Sequence, residues 1–441
     1  MILTSDVALV DGVRTERFAI RVEAGAITAC GTRDELPRAG EQILDLGRRA
    51  MLPGTVNAHN HSFQSLLRGF GDDLPFLEWR DRALYRFSPR LDTDGVYTGA
   101  LFAFAEMALH GVTTVCDFFY LNDNGNDNAR AVIAAARALG LRLVMARCFY
   151  DWDGAPAIYR ESVPDARRRF LELHRELAGA RTVSVCPAPH SLHGASEAMI
   201  RAGAEAARET GVPWHIHLAE EKYQVDDARK QYGTTPLRAI EKLGLLGPDL
   251  VAVHGCWFDE GERALMAERG VKLAYNPNSN MFLGDGITDV VDLVRRGVPV
   301  ALGTDGGCSN SRVSVFDEMR ACALLQKVAR AQAGSADAGQ AIDAETCFAM
   351  GTVGGGDVLG LPIGRLAAGQ RADVVFADLD DPSLWPEQSL AKNVVYSMSA
   401  RAITDVFVDG EAVVRSRALV RMPLSEVQER VRSLTRDWTR D

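Results

Sequence analysis

No apolar run in this chain approaches the ~20 residues of a membrane-spanning helix, and no basic segment followed by an apolar stretch opens it, so neither a membrane span nor a secretory leader is expected. Its eight cysteines (Cys30, Cys116, Cys148, Cys186, Cys256, Cys308, Cys322 and Cys347) include no CxxC pair. That argues against a zinc ribbon or disulfide framework and for reduced, buried thiols in a cytoplasmic protein. Positive charge is in deficit: 49 Lys and Arg against 59 Asp and Glu leave a net charge of −10. Such a balance argues against nucleic acid or an anionic membrane as the main partner. A phosphate-cradling GxxxxGK(S/T) loop is absent, and so is the HxE then PCxxC signature of one class of zinc deaminase.

What is present is ordinary globular composition, 47% hydrophobic over 441 residues. That is length enough for one large barrel and a smaller companion. Short strands with Gly and Asp at their turns occupy 6–10, 17–22 and 26–30, and a second strand cluster at 373–378, 403–408 and 411–414 closes the chain before a helical tail at 424–438. The two clusters are expected to meet as one small β-sandwich. Between them the pattern becomes apolar strand, loop, amphipathic helix, repeated. Eight buried-strand candidates fall at 54–59, 113–118, 141–148, 183–187, 214–218, 250–254, 271–276 and 299–304, with helices such as 94–110, 128–139, 197–210, 260–269 and 314–331 between them. The glycine-rich run 351–356 follows a helical stretch and reads as a turn. The expected fold is therefore α/β: a (β/α)₈ TIM barrel over 54–363, with 1–53 and 364–441 together forming the small sandwich.

The polar residues fall at the strand C-terminal ends, the face on which barrel active sites lie. Six of the nine histidines are there or just beyond. His59 and His61 alternate on one extended segment and can face a single ion. An HxH pair alone is weak, but His217, His254 and Asp305 end three further strands. Imidazoles with a carboxylate suit zinc or another borderline divalent metal. His215 shares a strand face with His217 but lies deeper, so it reads as a core residue. Glu220, three residues past His217, can move a proton between water and a leaving nitrogen; Glu221 beside it reads as a solvated acid.

The segments PGTVNAHNH, HIHLAEE, AVHGC, NPNSNMFLGDG and GTDGGCSN, in this order, resemble the amidohydrolase superfamily, in particular its aminohydrolases acting on adenosine-type nucleosides, 8-oxoguanine, s-triazines and N-formimino amino acids. IGRLAAGQRADVVFADLD resembles the family's return strand into the small sandwich. The resemblance implies a mononuclear site with His59, His61, His217 and Asp305 on one divalent metal, zinc first, with iron(II) or manganese(II) as alternatives. Glu220, His254 and Asp305 would handle protons and orient the attacking water. The bridging lysine of the binuclear branch is absent, because the fourth strand ends in Pro187-Ala188-Pro189-His190. The implied reaction releases ammonia from an amidine-like carbon of a small amino-heterocycle.

Substrate residues are read from the loops. Gln64 is shared with formimidoylglutamate and 8-oxoguanine deaminases, while FLEWRDRALYRF, FFYLND and APHSL are similar to the former, marking Trp79, Arg80, Tyr120 and His190. His193 stands where that deiminase carries an arginine for a substrate carboxylate, and DDLPFLEW and YGTTPLRAIEKLGLLGPDLVAVH look closer to adenosine-type deaminases. The alternatives are an N-formimino amino acid deiminase, or a triazine hydrolase displacing halide or alkylamine. A non-catalytic descendant would have lost a ligand or Glu220, and none is lost. The expected partners are a small-molecule substrate and further copies of the same chain.

Overall fold

The computed structural model describes residues 1–36 and 39–438. Both chain ends contribute to one sheet. β1 (Ile2–Val10), β2 (Val13–Glu23), β3 (Ala26–Thr32), β4 (Ile43–Asp45) and β5 (Arg49–Pro53) come from the N-terminal side. After the central region, whose strands are β6 (Thr55–Asn60), β7 (Val112–Phe119), β8 (Arg142–Phe149), β9 (Val183–Pro189), β10 (Trp214–Leu218), β11 (Leu250–His254), β12 (Lys272–Tyr275) and β13 (Val300–Leu302), the C-terminal side adds β14 (Val374–Asp378), β15 (Ile403–Val408), β16 (Glu411–Arg415) and β17 (Ala418–Leu419).

The two clusters meet where β14 runs antiparallel to β5, with Phe376 opposite Met51. The result is one continuous nine-stranded sheet in the order β17-β16-β15-β14-β5-β1-β2-β3, with β4 paired to β1. Its hairpins turn at Asp11-Gly12, Ala24-Gly25 and Asp409-Gly410, where both residues have positive φ, the backbone a two-residue type I′ turn requires. Strand alternation divides the side chains between two cores. Met51, Val374, Phe376 and Phe407 join a small core of the sheet's own. Their neighbours Ala50, Leu52, Val375, Val406 and Val408 face the large core of the central region.

β6 to β13 are parallel and bury both faces, as helix-covered parallel strands do. Their regular pairing runs as two half-sheets, β6-β7-β8-β9 and β10-β11-β12-β13. The halves touch at two seams. At one, the His217 amide donates to the His190 carbonyl (3.0 Å). At the other, the amides of Thr304 and Asp305 donate to the His59 carbonyl (3.1 and 3.0 Å). The intervening helices begin and end on their expected caps: Ser196 and Gly211 bound Glu197–Thr210, and an Asp259/Glu262 capping box with Gly270 bounds Glu260–Arg269. Among the described residues no helix is long and apolar enough to cross a membrane.

The run 351–356 departs from the expected turn. Its second half enters a helix, Val353–Leu359. A Cβ on Gly354 would lie 2.5 Å from the Val300 carbonyl oxygen, and one on Gly355 would lie 2.3 Å from Val56 Cβ. The glycines let this helix press against β13 and β6, a close approach that composition alone does not distinguish from a turn.

Candidate metal centre and pocket

The C-terminal ends of β6, β10, β11 and β13 converge. His59 and His61 leave β6 on the same side, His217 stands near the end of β10, His254 ends β11, and Asp305 follows β13. His254 and Asp305 adopt positive φ (71° and 57°), as does Ala219 (50°) after β10. Non-glycine residues rarely hold that conformation, and outside tight turns it points to a locally constrained backbone.

Hydrogen bonds fix which ring nitrogen faces inward. His61 Nδ1 donates to the Phe118 carbonyl (2.5 Å) and His217 Nδ1 to the His190 carbonyl (2.7 Å). Each therefore keeps its Nε2 lone pair for the centre. There, His217 Nε2 lies 3.2 Å from His59 Nε2, and Asp305 Oδ1 lies 3.4 Å from His59 Nε2 and 3.3 Å from His61 Nε2. Asp305 Oδ2 is already satisfied by the hydroxyls of Ser279 (2.6 Å) and Ser309 (2.8 Å), whereas Oδ1 is buried without a partner. Burial pushes His59 down to about 3 and lowers His61 and His217, so all three are neutral at pH 7. Converging lone pairs around an orphaned carboxylate oxygen are repulsive without a cation and complete with one. The set fits a divalent metal.

Asp117 braces the ligand loop from β7. It accepts from the Ser62 amide (2.6 Å), the Ser62 hydroxyl (2.8 Å) and the Asn60 side chain (3.0 Å). On the opposite side, Glu220 Oε1 lies 3.4 Å from His254 Nε2. His254 Nδ1 accepts from the Asn280 amide (2.8 Å), which puts its proton on the buried Nε2, the atom that faces Glu220. Burial first, then the charges of Asp305 and Glu221, hold Glu220 well above the usual carboxylate range. Asp285 is close enough to form a triad with Glu220 and His254.

A narrow pocket opens from this centre. Gln64, Trp79, Arg80, Tyr120, His190 and His193 all line it, with Glu220, His254 and Asp305 at its floor. Gln64 is tied to the wall: its amide donates to Tyr120 Oη (2.6 Å) and its carbonyl oxygen accepts from Cys308 Sγ (3.3 Å). Trp79 Nε1 donates to the Cys308 carbonyl (2.9 Å). Arg80 lies over the Tyr85 ring (4.8 Å) and pairs with exposed Asp81 (2.8 Å). His190 packs against Tyr150 (centroids 4.5 Å apart), and burial lowers His193 to about 4, so it is uncharged. Arg147, also near a strand end, turns away to a fully buried pair with Glu161 (2.6 Å).

Several lining residues escaped sequence reasoning. Tyr150 directly follows β8, so its strand-end position was a usable signal. Tyr85, Tyr159 and Tyr223 carry none. Asp285 and Asn280 lie inside NPNSNMFLGDG but have no spacing that marks them as partners of His254.

The model of the amidohydrolase family matches residues 50–413. A 5-methylthioadenosine/S-adenosylhomocysteine deaminase of Syntrophobacter fumaroxidans is 35% identical over 440 residues, covering 99% of this chain and 96% of that one. A 5′-deoxyadenosine deaminase of Methanothermobacter thermautotrophicus is 33% identical over 383 residues, 87% of this chain and 86% of the relative. An adenosine deaminase from Xanthomonas campestris, solved with bound zinc, superposes with a TM-score of 0.90 at 28% identity, covering 99% of this chain and 97% of that one. The family match and this structural likeness imply a TIM barrel, with the nine-stranded sheet of both chain ends beside it.

Proposed function

The chain belongs to the amidohydrolase family and is a hydrolase acting on C–N bonds, and from that premise we propose that it is a zinc-dependent deaminase of adenine-type nucleosides, releasing ammonia from the amino-bearing carbon of the ring. The observation that carries this reading is the pairing of Glu220 with His254 at 3.4 Å, beside the four converging side chains and under an aromatic-walled pocket.

When bound by His59, His61, His217 and Asp305, the metal supplies Lewis acidity that makes water nucleophilic at neutral pH. Glu220 takes the proton the attacking water releases and passes it to the leaving nitrogen. His254, protonated on Nε2, donates to the oxygen that becomes the product carbonyl. One water is consumed and one ammonia leaves. Trp79 and Tyr120 bound the ring's space, and His190 offers a further polar edge. The relatives named for adenosine-type substrates support the heterocycle over a formimino amino acid. So does the pocket's charge: among its described lining residues Arg80 alone is an arginine or lysine, and it is already paired.

The test is ammonia release from 5′-methylthioadenosine, S-adenosylhomocysteine, 5′-deoxyadenosine, adenosine, an aminotriazine and N-formimino-L-glutamate. At least one nucleoside is expected to reach kcat/KM above ~10⁴ M⁻¹s⁻¹. Turnover of N-formimino-L-glutamate with every heterocycle inert overturns the reading. Elemental analysis should find metal, mostly zinc, and His217→Ala should lose about one equivalent per chain together with activity; loss of two equivalents would contradict a mononuclear site.

A further inference from the structure

A second donor cluster lies one layer deeper. Cys116 precedes Phe118 by two residues on β7, and Phe118 packs against the His217 ring (4.4 Å). His215 precedes His217 by two residues on β10, and Cys186 lies on β9. All three side chains are buried, their donor atoms lie within 4.8 Å of one another, and Cys116 Sγ is 4.0 Å from His215 Nε2. The other ring nitrogen of His215, Nδ1, is buried without a partner. None of the three belongs to the ligand set above.

We propose that Cys116, Cys186 and His215 form a second metal site, selective for a thiophilic d¹⁰ cation such as copper(I) or zinc. Two thiolates and an imidazole are soft to borderline donors, unlike the nitrogen and carboxylate set above them. Binding releases the two thiol protons to solvent and forms two metal–sulfur bonds and one metal–nitrogen bond. The position gives the site a role. Cys186 belongs to the first half-sheet and His215 to the second, so the ion staples the β9/β10 seam, where regular strand pairing lapses.

The experiment titrates Cd²⁺ into protein already loaded with zinc, reading the ultraviolet thiolate-to-cadmium charge-transfer band and the unfolding temperature. The His/Asp centre contains no sulfur and cannot produce that band. One equivalent is expected to generate it and to raise the unfolding temperature. Cys116→Ser and Cys186→Ser should abolish both effects, whereas Cys322→Ser, which alters a buried thiol on a different element, should keep both. Absence of the band in the unaltered protein, or its survival in Cys186→Ser, overturns the site. Should either serine variant fail to fold, X-ray absorption at the cadmium edge of the unaltered protein decides. Two sulfur neighbours and one nitrogen support the site, and a shell of oxygen and nitrogen alone refutes it.

Discussion

Glu220 is held between two conflicting demands. Burial and the nearby Asp305 oppose its ionisation, while Gln224 tethers it through contacts to its amide (3.1 Å) and carboxylate (3.4 Å). Burial favours the protonated form, so the carboxylate takes up the water's proton readily and gives it up when a basic nitrogen develops, as a proton shuttle must. Glu220→Gln preserves shape and removes the shuttle. Turnover should fall at least ~10³-fold with metal content unchanged, and near-normal turnover would shift the proton to Asp285 or His254. His217→Ala should instead empty the centre, because two imidazoles and Asp305 Oδ1 hold a divalent ion far less tightly than the full four donors. The convergence of His59, His61, His217 and Asp305 was legible in the sequence because strand-end histidines two apart have few structural uses. The tyrosines of the wall were not, because an aromatic in a loop has many.

The segment from Phe76 to Phe87 shows how an element aims a pocket. It is read most simply as one helix, yet Arg80–Leu84 forms a π-turn, with the Tyr85 amide donating to the Arg80 carbonyl. That wider turn puts Trp79, Arg80, Leu84 and Tyr85 on the cavity together. In a regular α-helix these four would spread over roughly 240° of its circumference, and the extra residue turns the later pair back by roughly 100° toward the earlier one. Deleting exposed Arg82 restores α-geometry and should raise KM for the best nucleoside at least ~10-fold while leaving metal content intact. An unchanged KM would mean that the turn is incidental. Periodicity located such elements well and their close approaches poorly. β10 and β11 run over the expected residues, because each apolar segment carries a histidine at or next to its end. β13 is shorter than expected because Gly303 leaves the ladder to pass His59, whose amide nitrogen would stand 2.8 Å from a Cβ there. The Val353–Leu359 helix was missed for the same reason: its glycines report proximity to β6 and β13, which a single sequence does not display.

At the scale of the whole molecule, one buried arginine joins the terminal sheet to the foot of the central strands. Arg142, at the start of β8, donates to Asp373 (2.9 and 3.0 Å) just before β14 and to Asp409 (2.5 Å) in the turn after β15. Arg371 also pairs with Asp409. All of these carboxylates are almost wholly buried. Burial alone would push the Asp409 carboxyl up, but Arg371 and Arg142 override it and hold the group below its ordinary value. A depressed folded pKa stabilises the fold fully above the unfolded value of ~3.9 and loses that contribution as pH falls toward the folded one. Arg142→Met keeps much of the apolar stem, strands the buried Asp373 and leaves Asp409 to Arg371 and Arg181, which should cost about 3–5 kcal/mol near neutrality. It should also raise the folded pKa of Asp409, so the variant's deficit should be largest near pH 8 and should shrink as pH falls toward about 4 and these carboxylates protonate. Urea unfolding of both proteins across that range measures this. A deficit independent of pH would place the loss in packing rather than in charge, and no deficit at all would show that the sheet and the central strands are held together by their shared apolar core alone.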